Sequence, residues 1–276
     1  MLTGTRMRAA TALIAAVAVV GIGAGCGGSS SSSSNGGTIT VGSDIPYAPF
    51  EFGTNPPYKG FDVDLVNAIA KDMGRTAEFQ NTSFDTIFRD LAQNKFDMVA
   101  SSVTITKERM KEVDFSQPYF NADQSIMVKK GSPIKTVADL SGQTIGAQTG
   151  TTGADYAQNN TNAATVRTYS KIDDAFNALE AGQIQAVIND FPISEYATRS
   201  HTDLEVVKTI PTGEQYGLAF PKGSDLESSV NDALTKIKQD GTYAQIYKKW
   251  FNTAPPKSIL TDTKVPTVNT PGIPQS

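Results

Sequence analysis

The sequence predicts an α/β protein built on two sheets. Three features carry that prediction: helices of 3.6-residue apolar periodicity alternate with short apolar strands, the alternation starts afresh part-way along the chain, and glycines stand where helices should end. Thr38–Ser43 (TITVGS) predicts the first strand. Phe61–Met73 predicts a helix, because Val63, Val66, Ile69, Ala70 and Met73 recur at helical spacing and Gly74 stands where a terminating glycine belongs. A strand over Thr76–Thr82, a helix over Phe84–Asn94 with Phe84, Ile87, Phe88 and Leu91 on one face, and an apolar strand over Phe96–Ser102 follow. Such alternation implies a parallel sheet flanked by helices. The restart predicts strands at Ser125–Lys129 and Thr144–Gln148, helices at Thr152–Asn160 and Ile172–Ala181, a strand at Ala186–Asp190, a helix at Ile193–Arg199 and a strand at Leu204–Thr209. Last come a strand, Tyr216–Pro221, and two helices. The first of these lines Leu226, Val230, Ala233, Leu234 and Ile237 along one face before Gly241, and the second spans Tyr243–Phe251. One continuous α/β domain also fits this order; two modest sheets fit the restart better.

Of the 276 residues, 39% are hydrophobic and 19% charged, and the formal net charge is −4. That balance suits a globular protein, and the lack of a basic patch excludes nucleic acid as an expected partner. Arg6 and Arg8 precede an apolar run, Ala9 to Ala24, that is too short and too rich in Ala and Gly for a membrane span. Residues 1–25 are therefore expected to be a signal peptide. Cys26 follows Gly23-Ala24-Gly25 and is the only cysteine, which rules out an internal disulfide. Small residues before a cysteine suit a signal peptidase. The stretch resembles a bacterial lipobox, with Gly23 departing from the usual Leu, and the resemblance implies lipidation at Cys26. An ordinary secretory signal with an incidental cysteine is the competing reading. Residues 26–37, with serine at every position from Ser29 to Ser34, read as the lipidated cysteine and a flexible tether. The proline-rich stretch 254–276 reads as a disordered tail.

Ligands of open α/β sheets sit at the carboxyl ends of the strands, which points to Asp44, Ser101, Ser102, Gln148 and Asp190. Motifs gather at the same places. Gly60-Phe61-Asp62-Val63-Asp64-Leu65, followed by Ile69-Ala70 and Met73, resembles the signature of the family 3 extracellular solute-binding proteins. Asp44-Ile45-Pro46-Tyr47-Ala48-Pro49-Phe50, Ile105-Thr106-Lys107-Glu108-Arg109, Phe115-Ser116, the run Tyr216 to Gly223 and the run Gly241 to Phe251 are similar to polar amino acid binders of that family. The glutamine- and arginine-binding members look nearest, and the resemblance covers Thr38 to about Thr253. It implies a two-lobed periplasmic-binding-protein fold with two hinge strands and an interlobe ligand cleft. Lobe one would hold residues 38–120 and 217–253, lobe two 121–216, with hinges near Pro118–Asn121 and Gly213–Tyr216. The implied protein is a lipid-anchored, extracytoplasmic substrate-binding lipoprotein of an ABC importer. It would act as a monomer, without cofactor or metal, delivering an L-amino acid to a permease.

The residues read coherently against that implication. Burying the carboxylate and ammonium of a free amino acid requires paired partners. Arg109 offers a planar fork for the α-carboxylate, as the family places an arginine there, although an arginine on a solvated turn is the plain alternative. Ser102 and Thr104 should supply backbone N–H and hydroxyl groups, with Ser101 beside them. Asp190 should pair with the α-ammonium, or else cap the helix after it. Thr152, at a helix start where free N–H groups favour an anion, should hold the carboxylate from lobe two, an N-cap role being compatible. Tyr47 and Phe84 match positions whose rings sandwich the ligand side chain; either could also be plain core. Asp44 and Gln148 match positions that face the side chain. Glutamine binders usually carry Lys where Gln148 stands and His where Asn189 stands, whereas arginine-like binders often have Gln before the Gly-Thr-Thr, as here. With Arg109 and Asp190 cancelling a zwitterion and no lysine at hand, Asp44 would be left unpaired, so arginine or lysine is expected ahead of glutamine.

Two other readings remain. Some dehydratases share this fold, but the single histidine, His201, lies in a polar loop and no nucleophile set or metal cluster surrounds it. A ligand-sensing lipoprotein that signals through a separate receptor is the other.

Overall fold

The computed structural model describes residues 36–265. The expectations placed on the signal peptide, on Cys26, on the serines of the tether and on residues 266–276 lie outside the described residues. In chain order the elements are β1 (Thr38–Ser43), α1 (Phe61–Asp72), β2 (Thr76–Asn81), α2 (Ile87–Ala92), β3 (Met98–Val99), α3 (Arg109–Glu112), β4 (Val113–Phe115) and β5 (Phe120–Asn121). Then come β6 (Gln124–Lys129), β7 (Thr144–Gln148), α4 (Thr152–Asn160), β8 (Thr165–Tyr169), α5 (Ile172–Glu180), β9 (Ala186–Asp190), α6 (Phe191–Ala197) and β10 (Leu204–Ile210). The described residues close with β11 (Gln215–Tyr216), β12 (Ala219–Pro221), α7 (Leu226–Gln239), α8 (Thr242–Phe251) and α9 (Lys257–Thr261).

Two five-stranded sheets result, ordered β2-β1-β3-β12-β4 and β10-β6-β9-β7-β8. Neither is wholly parallel. In the first, β1 pairs parallel with β2 and β3, while β12 runs antiparallel to β3 and β4. In the second, β7 pairs parallel with β8 and β9, while β6 runs antiparallel to β9 and β10. In the first sheet the cause lies in the run Tyr216–Pro221, which the apolar pattern predicts as one strand. It divides at Gly217-Leu218, with Tyr216 pairing in a separate ribbon and Ala219 onward re-entering the first sheet from the opposite direction. Similarly, β8 escapes prediction because TVRTY lies at a sheet edge with no buried position to make a period.

The ribbon is the link between the sheets. β5 and β11 pair antiparallel, Tyr216 opposite Phe120 and Gln215 opposite Asn121. Phe120 is the aromatic anchor: its ring stacks on Tyr216 at 5.8 Å and on Tyr247 at 5.5 Å, and meets Phe50 and Phe251 at 4.9 Å each. One glycine is obligatory behind this cluster. Gly60 has φ 141°, and a Cβ there would lie 1.8 Å from the carbonyl oxygen of Phe50.

Residues 254–265 do not fray. The stretch 254–265, expected to be disordered, contains α9, whose Ile259 is fully buried in the core. A buried amine explains the order. Lys238 on α7 donates to Gln117 Oε1 at 3.0 Å, to Pro118 O at 2.9 Å and to Asp262 O at 3.0 Å, so the segment after α9 completes the solvation of an ammonium group. Burial lowers the pKa of Lys238 to about 8.

Truncating the aromatic anchor tests this account. Phe120→Ala is expected to cost about 3–5 kcal/mol of stability, read as a lower denaturant midpoint at unchanged slope. A loss below about 1 kcal/mol would show that the ribbon is not held by this cluster.

Candidate functional site

One narrow cavity is lined by Asp44, Tyr47, Phe84, Ser101, Ser102, Thr104, Arg109, Gln148, Thr152 and Asp190, together with Thr151. The fold gathers them by topology. Asp44 and Tyr47 follow β1; Ser101, Ser102 and Thr104 follow β3; Arg109 opens α3; Gln148 and Asp190 end β7 and β9. The carboxyl ends of both sheets therefore contribute, as the strand-end rule requires.

Three charged side chains line the cavity: Arg109, Asp190 and Asp44. Arg109 donates from Nη1 to Thr104 O at 2.8 Å and from Nη2 to Gly150 O at 3.0 Å, and its guanidinium lies 5.3 Å and 4.9 Å from the ring centres of Phe84 and Phe88. Burial lowers its pKa, and the negative charges of Glu214, Asp155 and Asp190 oppose that. Asp190 occupies the N-cap position of α6 yet makes no side-chain cap bond. Instead it accepts hydrogen bonds from Tyr47 at 3.2 Å, from Gln124 and from Tyr216. Burial raises its pKa, while those three donors and Arg109 pull it down.

The helix start has a division of labour. Thr151 caps α4, accepting from Ala154 N at 3.2 Å, which leaves Thr152 free of that duty. The Thr152 hydroxyl lies 3.5 Å from that of Thr104, 3.3 Å from Gln124 Nε2 and 3.3 Å from Glu214 Oε2.

Asp44 overturns one expectation. It is not an unpaired carboxylate: Lys171, from the second sheet's side, forms an ion pair with its Oδ1, and Gln148 donates to its Oδ2 at 2.5 Å. A lysine is at hand after all, because the turn between β8 and α5 delivers it across 127 residues of sequence. The charge count that favours a cationic ligand loses its premise. Burial nonetheless raises the Asp44 pKa, outweighing Lys171 and Gln148.

The serines differ from expectation too. Ser102 sits at φ 48°, a costly conformation for a non-glycine residue, and its N–H is spent on Asp62 Oδ2 at 2.9 Å. Its buried hydroxyl has no partner, so the hydroxyl is the group it offers to the cavity. Ser101 Oγ accepts from Asp44 N at 2.9 Å and donates to Glu51 Oε1 at 2.9 Å. Behind both serines lie two fully buried carboxyl groups. Asp62 Oδ2 also accepts from Tyr119 at 2.8 Å, and the remaining oxygens, Glu51 Oε2 and Asp62 Oδ1, have no other donor. Burial, then the charge of Asp62, holds the Glu51 pKa well above the carboxylate range; burial raises Asp62 to about 6, with Ser102, Tyr119 and Glu51 donating to it. Two adjacent buried carboxyls disfavour each other's charged form, which is why both shift upward.

Sequence reasoning does not single out Lys171, Glu214, Gln124 or Glu51. Glu214 carries a signal: it adjoins Gln215-Tyr216, within a stretch assigned to a hinge. Glu214 accepts from Gln124 at 2.8 Å, and burial, then Asp190, raises it to about 7. Among the described residues, no group of three or more His, Cys, Asp or Glu could hold a metal ion, and no helix is long and apolar enough to cross a membrane.

The model of the bacterial extracellular solute-binding proteins, family 3, matches residues 39–253. The ABC transporter arginine-binding protein 1 of Escherichia coli (strain K12) is 35% identical over 220 residues, 77% of this chain and 90% of that protein. The ABC transporter glutamine-binding protein of Bacillus subtilis (strain 168) is 37% identical over 202 residues, 71% of this chain and 74% of that protein. Among solved structures, the arginine-, lysine-, histidine-binding protein of Geobacillus stearothermophilus superposes with a TM-score of 0.77 at 37% identity, covering 82% of this chain and all of that one.

Glu214 makes stability depend on pH. A carboxyl whose folded pKa is raised favours the fold fully below its unfolded pKa, near 4.5, and loses that contribution as pH rises through about 7. Glu214→Gln should therefore gain about 2–3 kcal/mol relative to the natural protein between pH 5 and pH 8, measured by denaturant unfolding at both. A difference that does not change with pH would refute the shift.

Proposed function

Because the chain belongs to the bacterial extracellular solute-binding proteins of family 3, we propose that it captures one polar L-amino acid between its two sheets and delivers it to the permease of an ABC importer. The observation that carries this reading is the lining of the cavity: a guanidinium, Arg109, and a carboxylate, Asp190, with the rings of Tyr47 and Phe84 alongside. An amino acid presents the complementary set. Its α-carboxylate suits the fork of Arg109, the unpartnered hydroxyl of Ser102 and the start of α4 at Thr152. The α-ammonium suits Asp190, whose tyrosine and glutamine donors oppose the rise that burial gives its pKa. Tyr47 and Phe84 flank the side chain, whose polar end meets Asp44 and Gln148.

Binding groups come from both sheets, so the ligand is enclosed by rotation about the β5–β11 ribbon, with the first sheet and its helices as one lobe and the second as the other. Tyr47 and Arg109 already reach across to Asn189, Asp190 and Gly150. Hinge closure around a ligand, general among periplasmic binding proteins, moves such lobes as bodies and concentrates the backbone change in a few linking residues. The relatives compared are named as binding proteins, and nothing in this lining calls for a reacting nucleophile. The family is extracellular; anchoring by lipid at Cys26, with residues 27–37 as tether, and action as a monomer complete the proposal.

Calorimetric titration with each standard amino acid tests the reading, with one-to-one heats expected for at least one polar amino acid. Arg109→Ala should weaken that affinity about 30-fold to a few thousandfold, since one partner of a buried charge pair is removed. Near-natural affinity in a folded variant would sink the assignment. For the anchor, mass spectrometry of the mature protein from its host should find acylated Cys26 as the first residue. An unmodified cysteine would rule the anchor out.

A further inference from the structure

The side-chain end of the cavity holds a charge that does not line it. Lys171 stands at the N-cap position of α5, and its ammonium pairs with Asp44 Oδ1 and donates to Ile45 O at 2.9 Å. The partners are unequal in burial: the side chain of Asp44 is 2% exposed and that of Lys171 28%. Gln148 takes the other oxygen of Asp44 and donates also to Ser170 O at 3.1 Å. Both oxygens of Asp44 are thus engaged by donors from the second sheet's side.

The consequence follows from matching charges. Arg109 and Asp190 cancel the two backbone charges of an amino acid, and Lys171 cancels Asp44. A ligand with an uncharged side chain leaves this balance intact and can exchange hydrogen bonds with Asp44 and Gln148. A guanidinium or ammonium meets a carboxylate that is already paired. It must either sit beside a second cation or push the Lys171 ammonium out toward the solvent that already reaches it. Of the other buried carboxyls, Glu214 bonds Gln124 and Thr152 in the group around Asp190, and Glu51 bonds Ser101 behind the cavity lining, so neither bonds the Asp44 carboxylate or the group that would meet it.

We propose that Lys171 is the specificity-determining residue of this site: by occupying Asp44 from across the cleft, it makes the site prefer an L-amino acid with an uncharged polar side chain over a cationic one. The inference rests on the amino-acid-binding reading above and adds the sign of the preferred ligand's charge. Lys171 touches the ligand's side-chain partner and not its backbone groups, so its removal should change the preference and leave backbone recognition alone.

The experiment is titration calorimetry of glutamine and arginine into the natural protein, Lys171→Met and Lys171→Arg. The natural protein should bind glutamine more tightly than arginine. Lys171→Met should move the arginine-to-glutamine affinity ratio toward arginine by about tenfold or more, while Lys171→Arg, which keeps the charge, should hold it within about threefold. Lys171→Gln repeats the test if the methionine variant does not fold. Tighter binding of arginine by the natural protein, or an unchanged ratio on removing the charge, would overturn the proposal for Lys171 alone. Absence of heat with every amino acid in the natural protein would instead overturn the binding-protein reading, and this inference with it.

Discussion

A charge taken out of water must find its partner inside the protein, and here the partners stand on different sheets. Asp44 follows a strand of the first sheet and is held by Lys171 and Gln148 of the second; Asp190 ends a strand of the second and is held in part by Tyr47 of the first. The rest of the architecture serves that pairing. Strand ends have to face one another, which a ribbon of two short strands permits, and the ribbon needs a fixed base, which Phe120 and its ring neighbours supply.

Much of this is legible from residue pattern. Apolar periodicity places Thr38–Ser43, Thr144–Gln148, Thr152–Asn160 and Ala186–Asp190 where the structure has them, because each is buried on at least one face. All ten residues expected at the site line one cavity: strand-end position points to Asp44, Ser101, Ser102, Gln148 and Asp190, and the family resemblance to Tyr47, Phe84, Thr104, Arg109 and Thr152. What escapes prediction is of another kind. Lys171 lies beyond an edge strand without apolar alternation, so neither its strand nor its reach to Asp44 can be read from spacing. Charge bookkeeping by sequence alone fails in this way: it counts the residues of known motifs and overlooks a lysine that the tertiary fold imports.

The Glu51–Asp62 pair shows a different limit. In the sequence Asp62 is one letter of a motif, and the structure gives it a physical task. It accepts the N–H of Ser102 and so fixes that residue at positive φ, while Glu51 orders Ser101. Two adjacent buried acids make a poor stability device and a good positioning one, because their hydrogen bonds to Ser101, Ser102 and Tyr119 tie the segments behind the cavity. Such a role belongs to three-dimensional proximity and leaves no periodic trace.

The folded unit continues past α8. Likeness to the family ends at residue 253, yet Ile259 fills the core and Asp262 O accepts from the Lys238 ammonium. A recombinant fragment trimmed to the edge of the shared family region would open a hole beside α7 and strip one acceptor from a buried cation. The physical border of the folded unit lies some residues past its evolutionary one, and an affinity tag or a reporter fusion placed on the far side of Asp262 would leave both contacts whole.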